Sequence, residues 1–392
     1  MSPSGKARPL SRAGPRRYGF SSPLHHETVA AALGIALGVA FTICFATGLL
    51  SHVAQDPQGW FAWPPRPAGL YRFTQGLHVA TGLATIPILL AKLWTVYPKL
   101  FQWPPFTSIA ALLERLSLLP LIGGGLFLLF TGFANINLWY PWPFEFRSSH
   151  YWVAWITIGA LVIHVGAKAN TTRRALGTTP MAAPLDTSET TSAGSPSRRG
   201  FLAMVAGASG LVTLLTVGQT VRPLRKLALL APRRVDSGPQ GFPVNRSALA
   251  AGVTDSARAP DFVLEVTGNV TKPLRLTLDE LRGLPQHEAT LPIACVEGWS
   301  ASRKWRGVPV RDLLEMAGAR PGSKVRVHSL QQRRLYRSSD LNTRQAYDGD
   351  TLLALEVDGA TLHIDHGYPV RLIGPNRPGV LQTKWVNRLV VS

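Results

Sequence analysis

Acidic residues and cysteines are scarce in this chain. Asp and Glu number 22 against 41 Lys and Arg, charged residues make up only 16% of 392, and there are two cysteines. So little charge is low for a soluble protein of this size. The shortage is uneven: the first 220 or so residues carry long apolar stretches, and roughly the last 150 read as a soluble domain. Two cysteines exclude a disulfide framework. Cys44 lies in an apolar helix and Cys295 in a polar, Gly- and Trp-bearing loop, so they do not pair with each other. Cys295 is therefore a buried passenger, a nucleophile or a metal ligand. The net charge of +19 does not indicate nucleic acid, because the basic residues cluster at the ends of apolar segments and so resemble charges that hold helices in a bilayer. The first 27 residues are polar and basic and show no cleavable signal peptide, and the apolar stretch that follows is long enough to span.

Five segments reach the ~20 apolar residues that a bilayer requires: Thr28–Leu50, Thr74–Val96, Leu112–Ile136, Tyr151–Ala167 and Phe201–Val221. Trp60, Trp63, Tyr71, Trp94, Tyr97, Trp139, Tyr140, Trp142, Tyr151 and Trp152 collect at their ends, as interfacial aromatics do. Lys6, Arg8, Arg12, Arg16 and Arg17 precede the first segment, and Lys168, Arg173, Arg174, Arg198 and Arg199 follow the fourth. This bias places the N-terminus in the cytoplasm and the chain beyond residue 221 outside the plasma membrane. Arg222, Arg225, Lys226, Arg233 and Arg234 run against the bias. Ser197-Arg198-Arg199-Gly200-Phe201-Leu202 resembles a twin-arginine export signal, whose translocation machinery carries folded domains. The polar linker before it suits a tether.

Ionisable residues in spans are functional candidates. His150 and His164 are fourteen residues apart, nearly four helical turns and about 21 Å on one side of a helix. That spacing suits two haems stacked across a bilayer. His78 lies seven residues after Tyr71, and His150 seven after Pro143, read as a first-turn proline. Their depths match, so His78 with His150 is the expected outer pair, and His164 with His25 or His26 the inner pair. Iron with two nitrogen ligands serves electron transfer. The arrangement is similar to the four-helix b-type cytochrome subunits of membrane formate dehydrogenases and hydrogenases.

From Phe262 the pattern changes to short alternating strands with turns and helices. Thr277 and Glu280 form a capping-box signature, and Leu276–Leu284 and Val308–Ala317 read as helices. Five motifs follow in order: Gly-Phe-Pro-Val-Asn245-Arg246, Cys295-Val-Glu297-Gly-Trp-Ser, Trp305-Arg-Gly-Val-Pro, His366-Gly-Tyr-Pro-Val-Arg371-Leu and Gly379-Val-Leu-Gln-Thr-Lys384-Trp385. Together they resemble the sulfite oxidase fold, in its bacterial protein-methionine-sulfoxide-reductase-like branch. The resemblance implies a molybdenum–molybdopterin cofactor with Cys295 as metal ligand, in keeping with the preference of a soft thiolate for such a metal. It further implies pterin contacts at Asn245, Arg246, Ser329 and His366 and at the main chains of Ala248, Leu249, Gln382 and Thr383, with Arg371 and Lys384 on the phosphate. Glu297 either handles protons near the metal or fixes the loop. Sulfite oxidases carry an arginine pair soon after the cysteine. Here Glu297-Gly298-Trp299 follows, Arg303 and Arg306 lie further on, and Arg333, Arg334 and Tyr336 offer an alternative anion pocket.

The expected architecture is a membrane α-helical bundle, a four-helix b-type cytochrome with a fifth anchor helix, joined to an α+β sulfite oxidase-fold domain. The expected divisions are a basic tail (1–27), a cytochrome (28–168), a linker (169–199), an anchor (200–221) and an oxidoreductase domain (240–392). The expected function is oxygen-atom transfer on a small or protein-borne oxide, with b haems, two of them, exchanging electrons with the quinone pool. The alternatives are an electron-carrier or docking subunit without catalysis, and a sulfite-oxidising enzyme.

Overall fold

The computed structural model describes residues 23–56, 61–100, 109–177, 197–332 and 336–392. The N-terminal basic tail, Trp60, most of the linker, Arg333 and Arg334 lie outside the described residues. Five long helices come first: α1 (Glu27–Gln55), α2 (Leu70–Leu100), α3 (Ile109–Ile136), α4 (Phe146–Gly177) and α5 (Arg198–Val217). All five are long and apolar enough to cross a membrane. Several outrun the segments expected from hydropathy, because polar and aromatic residues flanking the apolar runs continue the helix. Helix α4 starts at Phe146 rather than near Pro143: the Glu145 carboxylate accepts from Ser148 N at 2.6 Å and so caps the first turn. Hydroxyls within the helices bond back to their own turns, as Thr47 does to Ile43 O at 2.6 Å, Thr131 to Phe127 O at 2.7 Å and Thr157 to Val153 O at 2.7 Å. These polar groups are thereby satisfied without water. Leu90, Leu119, Trp152, Val162, Ile163 and Met204 point outward, exposed. Such a face is stable against hydrocarbon and costly in water.

The α+β part follows: α6 (Ala248–Ala251), α7 (Thr254–Arg258), β1 (Val263–Gly268), β2 (Leu274–Thr277), α8 (Leu278–Gly283), β3 (His287–Ala294), β4 (Ser300–Pro309), α9 (Val310–Met316), β5 (Val325–Ser329), β6 (Ser338–Leu341), α10 (Thr343–Ala346), β7 (Leu352–Val357), β8 (Ala360–Thr361), β9 (Arg371–Ile373) and β10 (Val386–Val391). One sheet runs β2-β1-β10-β5-β6, with β1 parallel to β10, and the other β3-β4-β7-β8, with β9 also on β7. The expected helix at Leu276–Leu284 is split: β2 ends at Thr277, whose side chain and Glu280 form the capping box that starts α8. The start of the second expected helix is strand, because Val308 and Pro309 pair with Leu353 and Leu352 at the end of β4. Leu264, Val327, Leu389, Leu313 and Leu314 fill the core of the first sheet, and Trp305 with Phe242 that of the second.

The two parts meet at the end of the bundle where α1 and α3 finish and α2 and α4 begin. Ala54, Trp63 and Tyr71 pack with Ala294, the residue before Cys295. Asn376 fastens the joint with all its polar groups. Its carbonyl accepts from Trp63 Nε1 at 2.8 Å and its Oδ1 from Tyr71 N at 2.7 Å. Its Nδ2 donates to Pro64 O at 2.7 Å and its N to Ala68 O at 3.1 Å.

Candidate functional site

Strand β3 delivers Cys295 into a tight turn. Gly298 N donates to Cys295 O at 3.2 Å and Cys295 N to Trp299 O at 2.9 Å, with Gly298 at φ +82°, a conformation open to glycine. Cys295 is 1% exposed. Its sulfur has Asn245 Nδ2 at 3.1 Å. Burial first, and then the nearby Glu297 charge, push the thiol pKa up. An uncoordinated thiol here keeps its proton, and only a metal would displace it. Glu297 Oε2 lies 3.1 Å from Arg233 Nε and accepts from Trp299 Nε1 at 3.1 Å, while burial raises its pKa. Of the two roles expected for Glu297, these contacts supply the loop-fixing one.

Beside the turn, a cavity is lined by Asn245, Arg246, Ser329, His366, Arg371, Gln382, Thr383 and Lys384. Eight of the ten expected pterin residues are thus brought together. Ala248 and Leu249 are not among the lining residues: Ala248 N donates to Asp365 Oδ1 at 2.7 Å, and Leu249 is exposed on short helix α6. Arg371 is 5% exposed, its Nη1 donates to His366 O at 2.9 Å, and its Nε has no partner among the described residues. Lys384 Nζ donates to Asp365 O at 2.9 Å. Among the described residues neither cation is paired with a carboxylate. Burial lowers the Arg371 pKa to about 9 and holds that of Lys384 well below its ordinary value. Gly367 lets the segments bearing Arg371 and Lys384 converge: a Cβ there would stand 3.1 Å from Arg371 Cβ and 3.2 Å from Lys384 Cβ. Two unneutralised cations and an orphaned guanidinium nitrogen facing one cavity fit a phosphorylated ligand. His366 completes the wall. Its ring stacks on Phe242 at 3.6 Å, its Nε2 lies 2.7 Å from Pro239 O, and burial takes its pKa down to about 3, leaving it neutral.

Sequence reasoning missed Phe242, Gln331 and Arg233. Phe242 and Gln331 line the cavity and Arg233 fixes Glu297. Tyr336, from the loop expected to offer an anion pocket, also lines it. The Gly-Phe-Pro-Val-Asn motif contained the signal for Phe242. Arg233, one of a basic group far from the cysteine in sequence, carried none. Arg303 and Arg306 are engaged elsewhere, Arg303 with Asp358 and Gly241 O and Arg306 with Glu356.

A larger cavity of about 590 Å³ lies between the helices, and Cys295, Glu297 and Tyr336 line its end toward the α+β part. His78 and His150 face each other across it with ring centroids 6.2 Å apart. Two metal–imidazole bonds of ~2 Å, with about 1 Å of ring added on each side, require ~6 Å. His78 Nδ1 donates to Cys44 O at 2.9 Å, and His150 Nδ1 lies 3.1 Å from Thr131 Oγ1. Both rings are thus oriented through Nδ1, leaving Nε2 for a metal. A Cβ at Gly48 would stand 3.0 Å from His78 Cε1, so the glycine leaves room for the ring. These residues fit a bis-histidine haem. The expected inner pair is not assembled in this way. His25 Nδ1 lies 3.0 Å from Thr95 O and its ring stacks on Trp94 at 4.8 Å, His26 caps α1, and His164 Nδ1 is buried without a partner.

Comparison with known proteins gives the following. The family description "Oxidoreductase molybdopterin binding domain" matches residues 251–392. The chain is 33% identical over 216 residues to the "Putative protein-methionine-sulfoxide reductase subunit YedZ1" of Azospira oryzae, covering 50% of this chain and 81% of that protein. It is 30% identical over 164 residues to the mitochondrial sulfite oxidase of Drosophila melanogaster, covering 34% of this chain and 27% of the enzyme. Among solved structures, the sulfane dehydrogenase SoxCD of Paracoccus pantotrophus matches with 26% identity and a TM-score of 0.31, over 34% of this chain and 38% of that one. The chain thus spans less than half of the sulfite oxidase and of the sulfane dehydrogenase chain.

Proposed function

From the premise that this chain belongs to the family of YedZ1 and is a molybdopterin-binding oxidoreductase, we propose that it is a membrane-bound oxygen-atom transferase acting on a small or protein-borne oxide, methionine sulfoxide foremost, and exchanging electrons with the quinone pool. Bound molybdenum supplies two-electron oxygen-atom transfer, and b haems supply single-electron carriage. Cys295 would hold the metal, with Asn245 beside its sulfur. Arg371 and Lys384 would hold the phosphate, and His366 and Ser329 the pterin wall. His78 and His150 would hold the outer haem, and His164 with His25 or His26 an inner one. The five helices would cross the plasma membrane, and the α+β domain would lie outside it, delivered folded by the twin-arginine machinery.

The observation that carries the reading is the buried, unneutralised pair Arg371 and Lys384 around one cavity beside Cys295. It also disfavours a subunit that only docks, since such a subunit has no use for two buried cations. Sulfite oxidation is disfavoured because Arg303 and Arg306 are bound in surface ion pairs away from Cys295, and a dianion needs free cations. The test is a substrate panel on the purified full chain with a dye as artificial donor or acceptor. Turnover is expected with methionine sulfoxide, free or in protein. Turnover with sulfite alone would refute this substrate assignment.

A further inference from the structure

The cysteine turn is seated on the helical bundle as well as in its own domain. Val296 O, one residue after Cys295, accepts from Asn135 Nδ2 at 3.2 Å, and Asn135 Oδ1 accepts from Tyr140 OH at 2.9 Å. At the tip of the turn, a Cβ on Gly298 would stand 3.1 Å from Val79 Cγ1 and 3.7 Å from Val217 Cγ1. The turn therefore rests on α2, α3 and α5 at van der Waals distance.

These contact points adjoin the imidazoles. Val79 follows His78 on α2. Asn135 lies one turn along α3 from Thr131, whose hydroxyl is 3.1 Å from His150 Nδ1. Helices α2 and α3 thus each carry one contact to the cysteine turn and one group that is, or orients, an imidazole. Asn135 is 6% exposed, and its amide is not needed to finish the helix, because Asn137 Nδ2 already donates to Phe133 O at 2.8 Å. A buried amide that accepts from Tyr140 beside its own helix and donates to the cysteine turn has a registering role.

We infer that Asn135 is the positioning residue that sets the metal-ligand turn against α3, whose Thr131 orients His150, and beside α2, which carries His78, making its bond to Val296 the contact across which the two redox sites are coupled. This rests on the outer-haem reading above.

The test uses the full chain purified with its cofactors, as wild type, Asn135→Leu and Asn135→Gln. Haem content, the reduced b-type spectrum and dye-linked molybdenum turnover are expected to stay within twofold in both variants. After chemical reduction and mixing with methionine sulfoxide, the rate of haem reoxidation should fall at least tenfold in Asn135→Leu. Asn135→Gln, which keeps an amide donor, should recover part of that loss. Deuterium uptake across 293–300 should rise in Asn135→Leu, a readout independent of turnover. Wild-type reoxidation rates in Asn135→Leu would overturn the proposal. Equal slowing in both variants would assign the effect to packing and overturn the hydrogen bond's role. A wild-type chain without a b-type spectrum would overturn this inference together with the haem reading.

Discussion

Replacing Lys384 by Met probes the cationic cavity with and without its ligand. Lys384 is largely buried, donates to Arg246 O and Asp365 O, and lies 4.5 Å from the Trp385 ring centre. In the cofactor-free chain the change removes a desolvated ammonium, which is favourable. It also leaves two carbonyls unpaired at ~1–3 kcal/mol each. These effects oppose one another, and the net change in stability should be small. In the loaded chain the same change deletes a charge-assisted bond to phosphate worth ~1.5–3 kcal/mol, about a 10- to 150-fold loss of cofactor affinity. The assay is molybdenum by mass spectrometry and pterin by fluorescence after extended dialysis, with thermal melts of loaded and cofactor-free protein. Full molybdenum retention in Lys384→Met would refute the assignment of Lys384 to the phosphate. The pH dependence supplies a second check. Burial, reinforced by Arg371, depresses the folded pKa of Lys384, so the folded state binds fewer protons than the unfolded one between that depressed value and ~10.4. Stability of the cofactor-free chain should therefore rise with pH across that window. The Met variant should lack this component, and bound phosphate should diminish it by restoring the charge.

Cys295→Ser should leave the fold intact, because the hydroxyl is close in size to the thiol and can keep the contact with Asn245 Nδ2. It should abolish turnover, and full activity would remove molybdenum from the site. His78→Ala or His150→Ala should delete the outer haem and His164→Ala the inner one, read as haem per chain. A wild-type ratio near one instead of two would show that the inner pair does not hold iron. Changing Arg198 and Arg199 together to Lys should leave the first four helices inserted and haem bound while the α+β domain stays inside. Digestion of that domain by protease added outside cells would reduce the pair to a topology signal.

How much of this was legible in the sequence depends on whether the signal was local. The five helices were, since an apolar run of that length satisfies its backbone in hydrocarbon only as a helix. Their ends were not, because interfacial residues such as Leu70–Phe73 extend α2 without raising hydropathy. The capping box at Thr277 and Glu280 was read correctly, yet the strand leading into it was absorbed into the helix. Strand β4 was missed outright: Ser300–Trp305 is rich in Ser, Arg and Lys, and its strand character comes from pairing β3 on one side and β7 on the other. The cysteine and the two cations were proposed from five ordered motifs and the outer histidines from helical spacing, and each set faces a common cavity. Their surroundings, such as Arg233 on Glu297 or Asn135 on Val296, join residues tens to hundreds of positions apart and leave no local trace. For the inner histidines, spacing alone gave an expectation that side-chain geometry does not assemble.

The joint between the two parts bears on how such a molecule works. Arg66 makes the most conspicuous link, with Asp348 at 3.0 Å and Asp350 at 2.5 Å. It is half exposed, however, and exposed pairs contribute only ~0–1 kcal/mol even when well formed. Trp63 and Asn376 are each 2% exposed. The four hydrogen bonds of Asn376 to the α1–α2 connection and to the start of α2 satisfy groups that water cannot reach, so separation would leave all of them to be rehydrated at once. A joint of that kind is held shut by burial and not by charge, and is therefore insensitive to salt. Within it the cysteine turn has no freedom to approach and leave the bundle. Any electron exchange between the two sites would then take place at a fixed separation within one chain, the separation that the Asn135–Val296 bond is proposed to set.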